Sequence, residues 1–212
     1  DRRDVGDGLA RSVTLDGGWL SLQQKAETVL RPGNFAVLLA AATPLEGSDR
    51  ERLTLFENGD DSRISLAIAA DTGKANGRIT SSETNLVEDP VVTQSSVFDG
   101  RFHLYTLYRR SVRVLDDVLQ LRLNGVLEFR GSSIAIPRAL DLSSSAAPRF
   151  GWSSEPEGAT GRGRLAAIVI LRGSLPEDEL ARLENFLCEA LAVCEAPGPP
   201  LGVDPAPLDG GT

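Results

Sequence analysis

Residues 163–187 read GRLAAIVILRGSLPEDELARLENFL, and this stretch decides the fold class. The apolar run Leu165–Leu171 predicts a buried strand, because it is short and is followed at once by turn residues. After it, Ser174 and Glu177 have the spacing of a capping box, and Pro176 between them suits the first turn of a helix. The helical spacing is carried by Leu180, Leu183, Leu187 and Leu191, with Phe186 beside them. One helix that closes a long series of strands indicates an all-β domain whose last element packs on a sheet.

Short alternating runs fill most of the rest of the chain and predict β-strands separated by turns. Asn34–Ala42 is almost wholly apolar, which predicts a strand that is covered on both faces. Val118–Leu123 alternates and is followed by Asn124–Gly125, the strongest short signal of a hairpin turn. Further strands are predicted at residues 12–16, 19–22, 52–56, 63–68, 78–81, 102–109, 126–129 and 149–152. Residues 81–97 are predicted as a long loop with at most one edge strand, and residues 132–148 as a loop with a short apolar stretch.

The composition limits the classes of protein. The 212 residues suffice for one large all-β domain, and a hydrophobic fraction of 41% suffices for its core. The net charge of -8 argues against nucleic-acid binding, which requires a basic surface. No apolar run reaches the ~18 residues of a membrane-spanning helix, so we expect no membrane insertion. The chain has no methionine and begins at Asp1, as a secreted, matured or excised protein would, so we expect an extracellular, cell-surface or particle-surface location.

A shift in composition divides the chain into three parts. Residues 1–11 are a polar leading segment, residues 12–195 are the β domain, and residues 196–212 are a tail rich in proline and glycine. Such a tail cannot form a packed core by itself. We expect it to lie on its own domain or on a neighbouring subunit, where it would support a homo- or hetero-oligomer.

The two cysteines, Cys188 and Cys194, lie six residues apart in the predicted helical segment. On a continuous helix they would be ~9 Å apart along the axis, which is too far for a disulfide. A bridge requires the helix to end near Val193, so that the chain can fold back. The sequence leaves both alternatives open, a disulfide or two free thiols. Two cysteines without a further pair or histidines do not form a zinc site.

The order of these features resembles the laminin-G-like branch of the concanavalin A-like lectin/glucanase superfamily. The likeness is carried by residues 15–22, 32–38, 99–107, 119–125 and 163–187. In turn, these are similar to the family's opening strands, an early core strand, two paired central strands with their Asn-Gly turn, and the closing strand and helix. The resemblance covers about residues 12–193. It implies an all-β, antiparallel jelly-roll sandwich with one short C-terminal helix.

The resemblance also suggests a metal site, because laminin-G-like domains often hold Ca²⁺ at the rim of the sandwich. Calcium prefers clustered carboxylate and carbonyl oxygens. The candidate ligands are Asn58, Asp60, Asp61 and Asp71. The other interpretation is that the Asn-Gly-Asp-Asp sequence is only a turn.

A sugar site usually presents an exposed aromatic ring with polar neighbours. Trp152 with Arg149, beside a glycine-rich loop, fits this pattern best, and Trp19 is the second candidate. The alternative is that both tryptophans pack in the core.

The residues that carry chemistry argue against an enzyme. Glycosidases of the superfamily need paired carboxylates on one strand, and no predicted strand carries such a pair. Glu177, Asp178, Glu179 and Glu184 fall on the helix, where we expect first-turn stabilisation and a solvated face. His103 is the only histidine, and we expect it to be structural. No Gly-x-Ser-x-Gly nucleophile motif is present.

Together these observations predict a non-catalytic, lectin-like extracellular binding or adhesion module that recognises a glycan or a protein surface. One alternative is a structural decoration or assembly subunit of a particle or surface filament, which the tail favours. The other alternative is a polysaccharide hydrolase or lyase, against which the missing carboxylate pair argues.

Overall fold

The computed structural model describes residues 12–16, 20–21, 34–43, 53–58, 62–69, 71–81, 86–87, 91–111, 116–128, 133–137, 148–150, 162–173 and 175–194. Within these ranges the chain forms thirteen β-strands and one α-helix. The strands pair antiparallel and fall into two sheets. In the described part of the chain, no helix has the length and apolar character needed to cross a membrane.

Each sheet is assembled from strands that are far apart in the sequence. The six-stranded sheet has the order β1 (Val13–Asp16), β13 (Arg162–Arg172), β3 (Phe35–Ala42), β9 (Phe102–Ser111), β10 (Asp116–Leu123) and β11 (Ser133–Pro137). The seven-stranded sheet has the order β2 (Leu20–Ser21), β12 (Arg149–Phe150), β4 (Leu53–Asn58), β5 (Ser62–Ile68), β6 (Lys74–Ser81) and β7 (Leu86–Val87), and β8 (Val91–Ser96) also pairs with β6. This two-sheet antiparallel sandwich with one C-terminal helix confirms the predicted fold class.

β3 shows how the two sides of the six-stranded sheet are used. All eight of its residues are buried, as the near-continuous apolar run predicts. The cluster between the two sheets, the inner core, includes Phe35, Val37, Leu39 and Ala41 from this strand. The cluster beneath the helix, the helix cluster, includes Ala36, Leu38 and Ala40. Alternate side chains of this one strand therefore belong to two separate apolar clusters.

Three predicted loops and strands are different in the structure. The segment predicted as a loop with one edge strand contains two strands, β7 and β8, which both pair with β6, and residues predicted as a loop form β11, which pairs with β10. Conversely, the strand predicted at residues 126–129 is wrong, because Val126 makes only a single bridge to Leu123 and the next described residues are not in a strand. The Glu128 carboxylate accepts hydrogen bonds from the backbone N–H groups of Gln94 (2.5 Å) and Ser95 (3.2 Å), which directs the chain towards β8.

The closing helix α1 (Glu177–Ala190) begins later than predicted. Its N-cap residue is Pro176 and not Ser174, so the predicted N-cap position is wrong, and within the described residues no side chain caps the first turn. The side chain of Ser174 lies outside the described residues. Proline suits this position because its missing N–H has no partner at a helix start. Glu177, Asp178 and Glu179 lie in the first turn, as predicted, where carboxylates interact favourably with the helix dipole.

The end of α1 explains how Cys188 and Cys194 can meet. Val193 N donates to Cys188 O (3.0 Å) and Ala192 N donates to Glu189 O (3.2 Å), the bond pattern of a Schellman motif. Ala192, with φ 48°, and Cys194, with φ 68°, turn the chain back on itself. Cys188 and Cys194 form a disulfide, with their Cα atoms 5.3 Å apart. Of the two alternatives left open by the sequence, the structure therefore has the bridge.

Candidate functional site

The outer face of the seven-stranded sheet carries a continuous row of polar residues. Phe56, Ile64, Leu66, Ile79 and Phe150 point into the inner core. Because successive side chains of a strand point to opposite faces, Glu57, Ser65, Arg78 and Arg149 point outward. Arg149 is opposite Glu57, Glu57 is opposite Ser65, and Ser65 is opposite Arg78. We call these four residues the polar row; on neighbouring strands ~4.8 Å apart, it spans about 14 Å.

The polar row combines a buried centre with cationic ends. Glu57 and Ser65 are only 4% exposed, whereas Arg78 and Arg149 are half-buried. The guanidinium group is planar and donates paired hydrogen bonds to carboxylate, sulfate or phosphate oxygens. The row therefore carries a guanidinium group at each end, with a carboxylate and a hydroxyl between them.

A second row lies beside the first on the same face. Thr54 is opposite Ala67, Ala67 is opposite Asn76, and Asn76 is opposite Val92. Thr54 and Ala67 are buried, and Asn76 and Val92 are half-buried. The accessible part of this face is consequently its β6–β8 side and the Arg149 end of the polar row.

Of the predicted sugar-binding residues, the structure places Arg149 in the polar row. Trp19 and Trp152 lie outside the described residues, so both stay predictions. Leu20, which directly follows Trp19 in the chain, pairs with Phe150, two residues before Trp152. The chain neighbours of both tryptophans thus meet on adjacent strands next to Arg149.

The predicted four-residue calcium site does not form as one cluster. Asn58 ends β4 opposite Ile64, whereas Asp71 lies in the turn that follows β5. The four steps of β5 from Ile64 to Ile68 alone span ~13 Å, much more than separates the ligands of one Ca²⁺ ion. Asn58 is also 1% exposed, with its amide inside the protein. Calcium binding by Asp60 and Asp61, which lie outside the described residues, stays a prediction.

No three histidine, cysteine, aspartate or glutamate side chains come together as a metal site in the ranges that the structure describes.

His103 lies at one end of the sandwich, which we call the rim, in a closed hydrogen-bond network. Its Nε2 atom is 3.0 Å and 3.1 Å from the two carboxylate oxygens of Asp99. Its Nδ1 atom is 3.2 Å from Nδ2 of Asn124. Both ring nitrogens are therefore engaged, and the imidazole is 8% exposed. This geometry is that of a structural histidine, as the sequence analysis expects.

A cluster of charges lies between α1 and the six-stranded sheet, and the sequence analysis missed it. Arg122 Nη2 is 3.1 Å from Glu184 Oε2, and Arg122 Nη1 is 3.7 Å from Glu177 Oε1. Arg110 Nη1 is 3.1 Å from the other Glu177 oxygen. Glu184 is 0% exposed, so its assignment to a solvated helix face is wrong. Glu184 is four residues after Leu180 and three before Leu187, so helical spacing places it on the buried stripe of α1, where the arginine on β10 lies against its carboxylate.

Burial governs the acidity of Glu184. It raises the pKa of this carboxyl above its ordinary value, and the nearby Glu177 carboxylate acts in the same direction. The neighbouring Thr106 hydroxyl and the Arg122 guanidinium act in the opposite direction.

A second charged pair is completely buried on the side of the six-stranded sheet that faces the inner core. Arg109 Nε donates to Asp117 Oδ2 at 2.9 Å, and both side chains are 0% exposed. Ser111 Oγ donates to the second Asp117 oxygen, also at 2.9 Å. The pair links β9 to β10 at the end of the sandwich opposite the rim. Its only sequence signal is an arginine on the apolar-facing side of a strand, which by itself names no partner.

Comparisons with known proteins identify the fold. No protein-family model matches the chain, and no curated protein matches it in sequence. Among solved structures, the chain is similar to a heptameric SAP-like pentraxin from Limulus polyphemus, with 11% identity and a TM-score of 0.58 over 82% of this chain and 81% of the pentraxin. It is similar to the receptor binding domain of botulinum neurotoxin D, with 13% identity and a TM-score of 0.58 over 86% of this chain and 46% of that one.

The chain is also similar to domains LG4-5 of the mouse laminin alpha1 chain, with 15% identity and a TM-score of 0.50 over 78% of this chain and 43% of that one. A sialidase, NanB from Streptococcus pneumoniae, matches over 27% of its own length at 10% identity. This chain thus spans less than half of the toxin and laminin chains. At these identities the likeness concerns the fold alone, and it confirms the predicted concanavalin A-like jelly-roll fold.

Proposed function

We propose that this concanavalin A-like sandwich is a non-catalytic binding module that recognises a glycan through the outer face of its seven-stranded sheet. The observation that carries the proposal is the polar row, with half-buried Arg149 and Arg78 at its two ends. The structurally similar proteins include a toxin's receptor binding domain, so a binding role fits the fold.

The charges of the row favour a ligand with both hydroxyl and anionic groups. The arginines at the two ends of the row, on strands about 14 Å apart, could bind carboxylate or sulfate groups of one acidic glycan. Ser65 and Asn76 add neutral hydrogen-bonding groups on the same face. We therefore propose an acidic glycan, and an acidic patch on a protein is the other ligand that this chemistry admits.

The carboxylates of this face support a binding role over glycoside hydrolysis. Glu57 is the only carboxylate on the described strands of the seven-stranded sheet. Hydrolysis of a glycosidic bond normally requires two carboxyl groups on either side of the scissile bond. The sole histidine lies on β9 of the six-stranded sheet, so it does not adjoin this face.

An extracellular or surface location belongs to the same proposal. The Cys188–Cys194 disulfide supports it, since such bonds persist mainly in oxidising compartments.

A glycan array followed by titration calorimetry tests the proposal. We expect binding to carboxylated or sulfated glycans, and we expect Arg149→Ala and Arg78→Ala each to weaken it at least about tenfold, the effect of one charge-assisted hydrogen bond. Arg182→Ala is the matched control, because Arg182 is an exposed arginine on α1 (80% side-chain exposure). Binding that both row variants leave unchanged would remove the polar row as the site, and turnover of a bound polysaccharide would contradict the non-catalytic role.

An assembly role remains the second proposal. The similar pentraxin is heptameric, and the chain covers most of its length. In this proposal, residues 196–212, which lie outside the described residues, would contact a neighbouring subunit.

A further inference from the structure

The Asn124–Gly125 turn follows β10 at the rim, beside the start of β9. Asn124 and Gly125 have φ values of 51° and 77°, and Leu123 and Val126 exchange two backbone hydrogen bonds of 2.9 Å across the turn. This is the two-residue turn that an Asn-Gly sequence favours. The turn is also tied to β9, because Asn124 N donates to Leu104 O at 2.8 Å.

The side chain of Asn124 connects the turn to His103. Its Oδ1 atom accepts a hydrogen bond from the backbone N–H of Leu104 at 3.0 Å. A backbone N–H can only donate, so the amide oxygen must point to Leu104 and the amide NH₂ group must point to His103. The contact of 3.2 Å between Asn124 Nδ2 and His103 Nδ1 therefore requires an unprotonated Nδ1. The imidazole proton is then on Nε2, where it is donated to Asp99.

The other side of the turn lies against α1. The backbone oxygen of Gly125 accepts a hydrogen bond from Arg122 Nη2 at 2.8 Å, and the same nitrogen is 3.1 Å from Glu184 Oε2. The position that a Cβ atom would take on Gly125 is 3.7 Å from Glu184 Cβ. One turn thus joins the histidine at the rim to the buried carboxylate of the helix.

We propose that the Asn124–Gly125 turn is a pH-sensitive latch that His103 opens at acidic pH. Protonation of Nδ1 would bring an N–H donor against the NH₂ group of Asn124, an arrangement with no acceptor. The amide must then rotate its oxygen towards the imidazolium and release the Leu104 N–H. The turn loses its side-chain tie to β9, and the Gly125–Arg122–Glu184 contacts that rest on the turn loosen with it. The latch is independent of the ligand proposed for the polar row.

The groups around His103 define the charge balance of the latch. Asp99 is the charged group in direct contact, and it favours the protonated ring. From its own strand, the Tyr105 ring lies edge-on at 6.2 Å between ring centroids. On the neighbouring strand β3 the residue opposite His103 is Ala41, which has no charge. Beyond it, on β13, the Arg164 guanidinium donates to Gly100 O at 3.0 Å and stacks on Phe102.

Nuclear magnetic resonance can follow both halves of the latch, because the chain has a single histidine and its imidazole signals need no assignment. Between pH 8 and pH 5, the range in which histidine usually titrates, we expect the imidazole nitrogen shifts to show protonation of Nδ1. At the same midpoint we expect hydrogen-exchange protection of the Leu104 amide, corrected for intrinsic exchange, to fall about tenfold, as for loss of one hydrogen bond.

Two variants separate the latch from general acid effects. Asp99→Asn removes the carboxylate that favours the imidazolium but keeps the Asn124 contact, so both midpoints should move together to lower pH. His103→Gln should make Leu104 protection independent of pH, whereas Asp71→Asn, an exposed turn residue, should behave as wild type. The proposal is overturned by an imidazole that does not titrate in this range, or by titration that leaves the Leu104 amide unchanged. It is equally overturned if, in Asp99→Asn, the midpoint of imidazole protonation and the midpoint of the loss of Leu104 protection differ. This test does not depend on the folding of His103→Gln.

Discussion

Two residue pairs with the same chemistry have very different surroundings in this protein. Arg109 and Asp117 are both 0% exposed, whereas Arg182 and Asp178 on α1 are 80% and 70% exposed. A buried pair that loses one partner leaves an uncompensated charge, whereas an exposed charge is solvated by water. The contribution of each pair to stability should therefore follow its burial and not its charge.

We expect Asp117→Ala to lower the free energy of unfolding by ~3–5 kcal/mol, because Arg109 would remain charged inside the protein. Asp178→Ala is the control and should change the value by less than ~1 kcal/mol. Urea unfolding at neutral pH measures both. A loss below about 1 kcal/mol for Asp117→Ala would show that other groups already compensate Arg109.

Glu184 makes a prediction about pH. Burial raises its pKa above the ordinary value of 4.5, so the folded protein holds this proton more tightly than the unfolded chain does. The stability that comes from this group is full below the unfolded pKa and is lost as the pH rises through the folded pKa. Glu184→Gln has no charge to gain at this position. Relative to the wild type, the free energy of unfolding of the variant should therefore increase as the pH rises from 4.5 towards neutrality.

Urea unfolding over that pH range, with Asp178→Asn as the exposed control on the same helix, measures the difference. Parallel curves for wild type and Glu184→Gln would show that Arg122 compensates the carboxylate completely.

At the level of elements, the turns and strands that depend on local sequence signals were predicted correctly, whereas those that depend on long-range contacts were not. The Asn124–Gly125 turn and the doubly buried β3 depend on residues adjacent in sequence, and both are present as predicted. The start of α1 was misplaced because Ser174 and Glu177 match a capping box, while Pro176 is equally suited to end the preceding segment. β11 was missed because a short strand at a sheet edge is stabilised by its partner β10, which is not visible in its own residues.

The disulfide makes a prediction about the end of α1. Replacing both Cys188 and Cys194 with serine should lower the free energy of unfolding by ~2 kcal/mol, the value expected for a short closed loop. The unfolding midpoint in denaturant, with and without reductant, measures the effect. Reductant should destabilise the wild type by a similar amount and leave the double variant unchanged. A wild type whose unfolding midpoint is the same with and without reductant would contradict this role.

At the level of the whole molecule, the sandwich could be predicted from strand rhythm, but the candidate site could not. Arg149 was identified from its neighbours in sequence, whereas its row partners Glu57 and Arg78 come from strands distant in the chain. Asn58 and Asp71 are close in sequence, but the length of β5 separates them, whereas calcium binding by Asp60 and Asp61 stays a prediction. Charge partners across sheets are set by register, which a single sequence does not reveal.

Removal of residues 196–212 tests the assembly proposal. Because a tail rich in proline and glycine forms no packed core of its own, we expect the free energy of unfolding to change by less than ~0.5 kcal/mol. Light scattering then measures the mass in solution. A fall in mass on truncation would support assembly through the tail. A chain that is monomeric both with and without the tail would contradict the assembly proposal and leave only the binding proposal.

The doubly buried strand β3 has a consequence for how the protein opens. Its odd-numbered residues belong to the inner core, and Ala36, Leu38 and Ala40 belong to the helix cluster, so the strand separates the two as a partition. The compartment beneath α1 is the smaller of the two, and it is closed by a single helix. Local opening generally follows such boundaries. The helix can thus detach as a unit and expose one side of the partition, while the other side stays sealed and the sandwich keeps its shape.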